Sequence, residues 1–278
     1  NKVSATEGIS QLYKIDVELL HDSEKESLQA EAINVNSVLG QAATISVNQR
    51  DEGARLFNGI IKNITLVGRT QIYSFFNATL VPQVWELTQC IQSRIFQQKS
   101  VKDILTEVFA GYQVRFELQW DYKPRNYCVQ YNESDFDFAS RLMEEEGICY
   151  YFEFSTTAET MIITDHFQQP RDCPNKSRIA NSVENLSEEI FESAIRNWQI
   201  SYQIQSGKVT YWDYHFQLPK RKLEVEQKSR FNVGENQNME IYKYPAGYAR
   251  KYDGISKDGG EQASDLQNIF TDNQQSAK

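Results

Sequence analysis

An alternation of apolar and polar residues constrains the fold of this chain more than any other feature. The clearest stretch covers residues 13–19, where the apolar positions are Tyr13, Ile15, Val17 and Leu19. A period of two is typical of a strand with one face in a core and the other in water. The same period recurs over residues 44–48 and 72–80, and Asn58-Gly59 and Gly68 predict turns between strands. The first third of the chain is therefore predicted to be β-sheet.

The period changes after Pro82, where the spacing predicts helical insertions over residues 84–110 and 134–147. Ser100 followed by Asp103 favours a helix beginning at residue 101, and Gly111 ends it. Ser134, with acidic residues in the next turn, predicts the start of another helix that stops at Gly147. A strand over residues 148–154 follows directly.

Beyond residue 167 the pattern weakens. Residues 168–187 carry two prolines and scattered polar side chains, which indicates a connection between two parts of the chain. Alternation returns at Trp198, Ile200, Tyr202 and Ile204, and the turn at 205–208 predicts a hairpin that continues to Phe216. The polar residues 254–278 are predicted to be a tail with a weak helical stripe.

Charge and cysteines exclude several classes of protein. The 278 residues include 38 acidic and 29 basic side chains, so the net charge of -9 disfavours binding to nucleic acid. The basic run is interleaved with Glu224 and Glu226 and predicts a solvated strand edge; its members are Lys220, Arg221, Lys222, Lys228 and Arg230. The cysteines lack paired spacing, which predicts reduced thiols at Cys90, Cys128, Cys149 and Cys173. No segment is apolar over 18 residues, so no stable membrane insertion is expected.

Groups capable of catalysis are sparse. The three histidines are far apart in sequence, which disfavours a metal site. The chain has no phosphate-binding glycine motif, so no cofactor is expected. Two arrangements leave a hydrolase open as an alternative: the pair Asp165-His166, and the acidic run Glu144–Glu146. Arg141 lies four residues before Glu145, so an ion pair within the helix is the simpler explanation of that run. We expect a chain that is not an enzyme.

Residues 125–152, RNYCVQYNESDFDFASRLMEEEGICYYF, closely resemble the signature of the VgrG family, the spike proteins of bacterial type VI secretion systems. Further resemblance covers residues 7–13, 39–44, 57–61, 94–104, 213–219 and 242–248. The resemblance implies a mainly β fold with α insertions, made of two barrel-like β subdomains of the contractile-phage baseplate hub type. On this basis residues 1–167 form the first subdomain, and residues 188–253 form an incomplete second one within a longer protein.

The family implies a structural role for this chain. A homotrimer with pseudo-sixfold symmetry would cap the hexameric tube protein, contact baseplate components, and carry the puncturing spike and effectors. The protein would assemble in the bacterial cytoplasm and leave through the secretion apparatus without a signal peptide. A contractile-phage tail hub is the alternative within the same class.

The signature residues are expected to serve packing first and assembly contacts second, because the family's hub pattern supplies no catalytic group. Phe138 and Leu142 would be buried, while Arg141 and Glu145 would pair or contact a neighbour. The full set is Arg125, Tyr127, Gln130, Tyr131, Glu133, Ser134, Asp135, Phe138, Arg141, Leu142, Glu145, Gly147 and Tyr151.

Overall fold

Two units make up the chain in its computed structural model. The structure describes residues 2–22, 35–49, 53–70, 72–166, 199–215, 220 and 222–247. The first unit holds the described residues up to His166, and the second holds those from residue 199 onward. The predicted connection at 168–187 and the predicted tail at 254–278 lie outside the described residues.

A five-stranded antiparallel sheet in the order β1-β2-β5-β4-β3 forms one half of the first unit. A single turn of helix, α1 (Val35–Val38), precedes β3. The strands in chain order are β1 (Val3–Thr6), β2 (Lys14–Asp22), β3 (Ala42–Gln49), β4 (Gly53–Arg69) and β5 (Tyr73–Val81).

The alternation predicted for residues 13–19 is confirmed in β2. Tyr13, Ile15 and Val17 are buried beneath the sheet, and the intervening side chains are exposed. Leu19 is the exception, because 38% of its surface is exposed. The buried face covers a core, here called the sheet core, of Tyr13, Ile15, Val17, Phe57, Ala78 and Leu80.

The other half of the first unit packs two helices between a strand pair and a small sheet. The strand pair, here called the ribbon, consists of β6 (Ile91–Lys99) and β8 (Arg125–Ser134). The helices are α2 (Val101–Val108) and α3 (Asp135–Glu145). The small sheet has the order β7-β10-β9, with strands β7 (Val114–Glu117), β9 (Cys149–Phe154) and β10 (Glu159–Thr164).

These elements enclose a second cluster, here called the helical core, which includes Phe96, Leu105, Phe138, Leu142 and Ile163. Phe152 of β9 packs against both the helical core and the sheet core. Its ring meets Tyr13 edge to face, with centroids 4.9 Å apart. The two halves of the first unit therefore share one continuous apolar interior.

Both predicted helix starts are confirmed. Ser100 accepts a hydrogen bond from the Asp103 backbone N–H, and the Asp103 carboxylate accepts from the Ser100 N–H in return. Ser134 likewise accepts from the Asp137 N–H at 3.0 Å. Gly147 follows α3 with a φ of +67°, a conformation that other residues adopt at a cost.

The helical insertion predicted over residues 84–110 is only partly correct. A 3-10 helix occupies Gln83–Gln89, and residues 91–99 form strand β6 instead of a helix. The reason is tertiary: β6 pairs antiparallel with β8, so that Ile95 lies opposite Val129. The apolar positions at Ile91 and Ile95 face solvent and not the helical core.

The turns predicted at Asn58-Gly59 and Gly68 are wrong, because all three residues lie within β4. Gly59 lies where strands β4 and β5 approach each other closely. A Cβ at this position would lie 2.6 Å from the backbone oxygen of Val81 on β5. Gly68 lies where the register between β4 and β5 shifts, which is typical of a β-bulge.

The second unit contains a three-stranded sheet in the order β12-β11-β13, with a 3-10 helix at Asn236–Asn238 before its last strand. Its strands are β11 (Lys208–Asp213), β12 (Leu223–Lys228) and β13 (Glu240–Lys243). β11 lies in the middle, antiparallel to β12 and parallel to β13.

The hairpin predicted over residues 198–216 is therefore wrong. Residues 199–206 form no strand, and Tyr202 is 89% exposed. Gly207 instead packs on the backbone of Asn236, where a Cβ would lie 2.6 Å from the carbonyl oxygen. Trp198 and Phe216 lie outside the described residues.

The strand edge predicted for the basic run is confirmed in part: β12 is an edge strand of the described sheet, but of the basic run only Lys228 lies within it, with Lys222 directly before it. Lys222 pairs with Glu224 at 2.5 Å and Lys228 with Glu226 at 3.5 Å, so neighbouring charges of opposite sign neutralise the lysines. Cys90, Cys128 and Cys149 are free thiols as predicted, and Arg221 and Cys173 lie outside the described residues. None of the helices in the described ranges is long and apolar enough to cross a bilayer.

The close approach at Gly59 generates a prediction. Gly59→Ala should lower the free energy of unfolding by about 1–3 kcal/mol, because the added methyl group would push β4 away from β5. Gly68→Ala is the matched control on the same strand, since a Cβ there meets nothing within 4 Å. Urea denaturation of both variants would measure the difference. Equal stability of the two variants would contradict the proposed close contact.

Candidate functional site

Residues 125–152 form three consecutive elements, β8, α3 and β9, which together cover the helical core. One face of α3 is buried, through Phe138, Ala139, Leu142 and Met143. The Phe138 ring stacks on Phe96 of the ribbon, with centroids 5.5 Å apart and planes 13° from parallel. The two named apolar members of the signature, Phe138 and Leu142, thus hold the ribbon and α3 together.

A buried carboxylate joins the ribbon to the beginning of α3. Asp135 is 5% exposed, and one of its oxygens accepts hydrogen bonds from Arg94 Nη2 and Gln130 Nε2, both at 2.7 Å. Arg94 Nε also donates to Gln130 Oε1 at 2.8 Å, which closes a triangle of three side chains. Gln92 donates to the other Asp135 oxygen at 3.2 Å. The N-terminus of a helix favours a negative charge at this place.

A second charged cluster joins the ribbon to the end of α3. Arg125, the first residue of β8, is only 4% exposed. Its Nη1 donates to Glu145 Oε2 at 2.9 Å, and its Nη2 donates to Glu146 Oε1. Burial alone would lower the pKa of the guanidinium, but the carboxylates of Glu146 and Glu145 outweigh it and raise the pKa. The charged form of Arg125 is therefore held in the interior by its partners.

Arg141 extends this cluster along the exposed side of α3. The predicted ion pair with Glu145 is present, with Nη1 and Oε1 3.2 Å apart. Arg141 Nη2 also donates to Glu133 Oε1 at 2.6 Å and to the Val129 carbonyl oxygen at 3.2 Å. Its guanidinium lies 5.4 Å from the centre of the Phe138 ring. Glu145 therefore accepts from two arginines, one buried and one half exposed.

Two of the remaining signature residues, Tyr127 and Tyr131, point outward. Tyr127 and Tyr131 lie on the solvent side of β8, with 51% and 78% of their surface exposed. Tyr151 of β9 is half-buried, and Ser134 and Gly147 mark the two ends of α3. The signature thus separates into an inner set that fastens α3 and an outer set on the ribbon surface.

The sequence did not single out Arg94, Gln92 or Glu146 as members of this site. Arg94 and Gln92 belong to the segment predicted as helix. The helical pattern alone gives no reason to place Arg94 in a buried cluster. Once β6 is known to pair with β8, the register places Arg94 opposite Gln130. Glu146 is adjacent to Glu145 in sequence, but only its burial distinguishes it from an ordinary surface glutamate.

Asp165, the carboxylate of the pair considered for hydrolysis, is held by partners of its own. Asp165, directly after β10, accepts from the backbone N–H groups of Gln119 and Trp120, each at 2.9 Å, and from the Tyr122 hydroxyl at 3.0 Å. Burial would raise the pKa of Asp165, but these hydrogen bonds lower it. His166 Nδ1 lies 3.3 Å from Asp165 Oδ1. Within the described ranges, no group of three or more His, Cys, Asp or Glu side chains is placed to hold a metal ion.

Known proteins resemble this chain over most of its length. The sequence profile of the family described as phage tail baseplate hub matches residues 6–276. The type VI secretion system spike protein VgrG1b of Pseudomonas aeruginosa is 31% identical over 226 residues, which is 79% of this chain and 30% of that protein. The chain therefore spans about a third of the length of this relative.

Solved structures share the fold. A component of the type VI secretion system of E. coli, described as similar to tail proteins of bacteriophage T4, matches with a TM-score of 0.50 and 22% identity. That match covers 59% of this chain and 46% of the other. The 43 kDa tail protein of prophage MuSo2 from Shewanella oneidensis matches with a TM-score of 0.52 and 12% identity, covering 89% and 73%. These likenesses confirm the predicted fold class, that of a baseplate hub.

Removing the buried arginine should destabilise the folded protein. Arg125→Met should lower the free energy of unfolding by about 3–5 kcal/mol, because Glu146 would remain buried without its guanidinium partner. Arg115→Met is the matched control: Arg115 also binds two carboxylates, of Glu117 and Glu153, but its side chain is 44% exposed. The control should cost no more than about 1 kcal/mol. Denaturant unfolding would compare them, and similar losses in both variants would contradict the role given to burial.

Acid should remove the contribution of Asp165. Its pKa in the folded protein lies below the ordinary value of 3.8, so its stabilisation is present above that value and is lost as the pH falls through the folded pKa. The difference in unfolding free energy between the wild type and Asp165→Asn should therefore shrink on acidification below pH 3.8. Unfolding measured across a pH series would test this, and a pH-independent difference would contradict it.

Proposed function

We propose, from the premise that this chain belongs to the phage tail baseplate hub family, that it is the structural hub of a type VI secretion spike. One observation carries the proposal: a relative named as a type VI secretion spike protein is 31% identical over 79% of this chain. The family profile, which matches residues 6–276, supports it. The hub fold of the solved relatives agrees with this.

The proposed assembly is a homotrimer. Three chains, each contributing two β units, place six units around one axis, which gives a pseudo-sixfold ring. Such a ring matches a hexameric tube protein on one side and carries the spike and its effectors on the other. Baseplate components surround the same ring. The chain assembles in the bacterial cytoplasm and then leaves through the apparatus.

A contractile-phage tail hub remains the second candidate, because a prophage tail protein has the same fold over 89% of this chain. Identity of 12% to that protein, against 31% to the spike protein, favours the secretion system. The genes beside this one distinguish the two candidates: genes for the secretion apparatus accompany a spike, and capsid genes accompany a phage hub.

Our proposal also includes a role without catalysis. The relatives of this chain are spike and hub proteins, and three of the carboxylates considered for a hydrolase, Glu145, Glu146 and Asp165, are bound by structural partners. Arg125 holds Glu145 and Glu146, and a backbone loop holds Asp165. A hydrolase would require His166→Ala to abolish a measurable turnover while leaving assembly intact.

Native mass spectrometry of the protein, produced as its genome encodes it, tests the proposed hub. We expect three copies per particle and a three-fold spike in electron micrographs. Purified tube protein should bind the particle. The Arg125→Met variant, in which the signature fold is disturbed, should not bind tube protein. A strict monomer that ignores tube protein at high concentration would overturn the proposal.

A further inference from the structure

The outer edge of β8, on the side away from β6, is closed to pairing with another strand. Arg141 Nη2 donates to the Val129 carbonyl oxygen at 3.2 Å, so this backbone group already has a partner. β8 also carries an extra residue, since Tyr131 and Asn132 together lie opposite Ser93. This bulge, at which Asn132 has a φ of +50°, bends the strand. A further strand therefore cannot run straight along β8.

The outer edge of β6 is open. Ile95 lies opposite Val129, and two opposite residues of an antiparallel pair direct their backbone groups either toward each other or away from each other. Because the Val129 oxygen points away from β6, the N–H and C=O of Ile95 point away from β8. Those of Gln97, two residues further along, do the same. Among the described residues, these backbone groups of Ile95 and Gln97 have no hydrogen-bond partner.

β6 lacks the features that usually protect an edge strand from pairing with other chains, such as proline, a bulge or an outward lysine. Between Ile91 and Gln97 its one charged side chain is Arg94. Arg94 points inward and is neutralised by Asp135, with Nη2 and Oδ1 2.7 Å apart. The extra residue of the bulge belongs to β8, so β6 stays regular. An unprotected edge of this kind is typical of a strand that binds another strand.

The side chains beside this edge indicate what kind of strand fits it. The outer side of the ribbon is apolar and uncharged, with between 38% and 78% of each side chain exposed at Ile91, Ile95, Tyr127, Val129 and Tyr131. A strand added beside β6 places every second side chain next to this surface. Apolar side chains at those positions would be buried favourably, whereas a charge would lose hydration. The fitting segment is therefore extended and uncharged, with β-branched or aromatic residues at alternate positions.

We propose that the open edge of β6 binds such a segment of a different protein, which becomes the third strand of the ribbon. Backbone hydrogen bonds to Ile95 and Gln97 supply affinity, and the apolar neighbours supply specificity. The same edge of a second copy is not the occupant, because identical edges pair about a two-fold axis that a three-fold ring lacks. The inference rests on the hub role proposed above, which brings effectors and baseplate components to this chain.

The inner side of β6 holds the strand in position for this contact. Gln92 and Arg94 both donate to Asp135 at the start of α3, and the Phe96 ring stacks on Phe138. A strand that is fixed before binding loses little conformational entropy on association. The signature segment thereby prepares the edge of its neighbouring strand.

A synthetic strand tests the proposal on the protein as its genome encodes it. The probe is a fluorescent, uncharged heptapeptide of alternating threonine and valine. The control peptide has the same sequence with every backbone amide methylated, so that it cannot donate hydrogen bonds. Fluorescence anisotropy should show that the methylated peptide binds at least tenfold more weakly. Equal binding of the two peptides, or no binding of either, would overturn the proposal.

Two variants assign the binding to β6. Gln97→Pro removes an outward N–H, a change that an edge strand tolerates, and should weaken binding of the unmethylated peptide at least tenfold. Tyr127→Pro is the matched control on the closed edge, since Tyr127 lies opposite Gln97, and it should bind as the wild type does. Circular dichroism and thermal unfolding establish that each variant is folded. Ile95→Lys, which places a charge on the edge, replaces Gln97→Pro if the latter unfolds. Wild-type affinity in the folded β6 variant would contradict the assignment.

Hydrogen exchange measures the contact at single amides. The amides of Ile95 and Gln97 should exchange rapidly in the protein alone, and the peptide should slow both at least tenfold. Phe96, whose N–H points toward β8, serves as the internal control and should not change. Native mass spectrometry measures the trimer separately. A trimer whose edge amides the peptide does not protect overturns this inference and leaves the hub standing, whereas a monomer that binds the peptide overturns only the hub.

Discussion

Buried charges at the two ends of α3 hold the first unit together. Asp135 at the start of the helix is bound by Arg94 and Gln130, and Glu145 and Glu146 at its end are bound by Arg125. A buried charge without a partner costs several kcal/mol, so these groups are tolerated only when the ribbon and the helix are both in place. The apolar stacking of Phe96 on Phe138 lies between the two clusters. Register, helix position and ribbon orientation are thereby fixed together.

Local signals in the sequence predicted local structure well. Ser100 with Asp103, Ser134 with Asp137, and Gly147 each depend on hydrogen bonds or backbone angles within a few residues, and the structure contains all of them. The alternation in β2 was equally reliable, because one face of that strand is buried and the other is not. Resemblance in the signature segment located the site itself. Its inner and outer sets became visible only from the fold.

The failures have a common physical cause, which is a partner distant in sequence. Gly59 resembles a turn residue, yet it is glycine because Val81 of a neighbouring strand comes too close for a side chain. Ile91 and Ile95 follow Val84 and Leu87 at helical spacing, yet they belong to a strand paired with β8 and face outward. Helical spacing in the sequence cannot reveal that a strand distant along the chain pairs with residues 91–99.

The central position of β10 has a consequence for how the protein is made. β10 pairs with β9 directly before it and also, in parallel, with β7 some forty residues earlier, and it supplies Met161 and Ile163 to the helical core. A nascent chain still attached to the ribosome has neither the β7-β10-β9 sheet nor a filled helical core until Thr164 has left the exit tunnel. The charged clusters around α3 can thus form before their apolar support is complete. The first unit can therefore complete its fold only after residue 164 has left the exit tunnel.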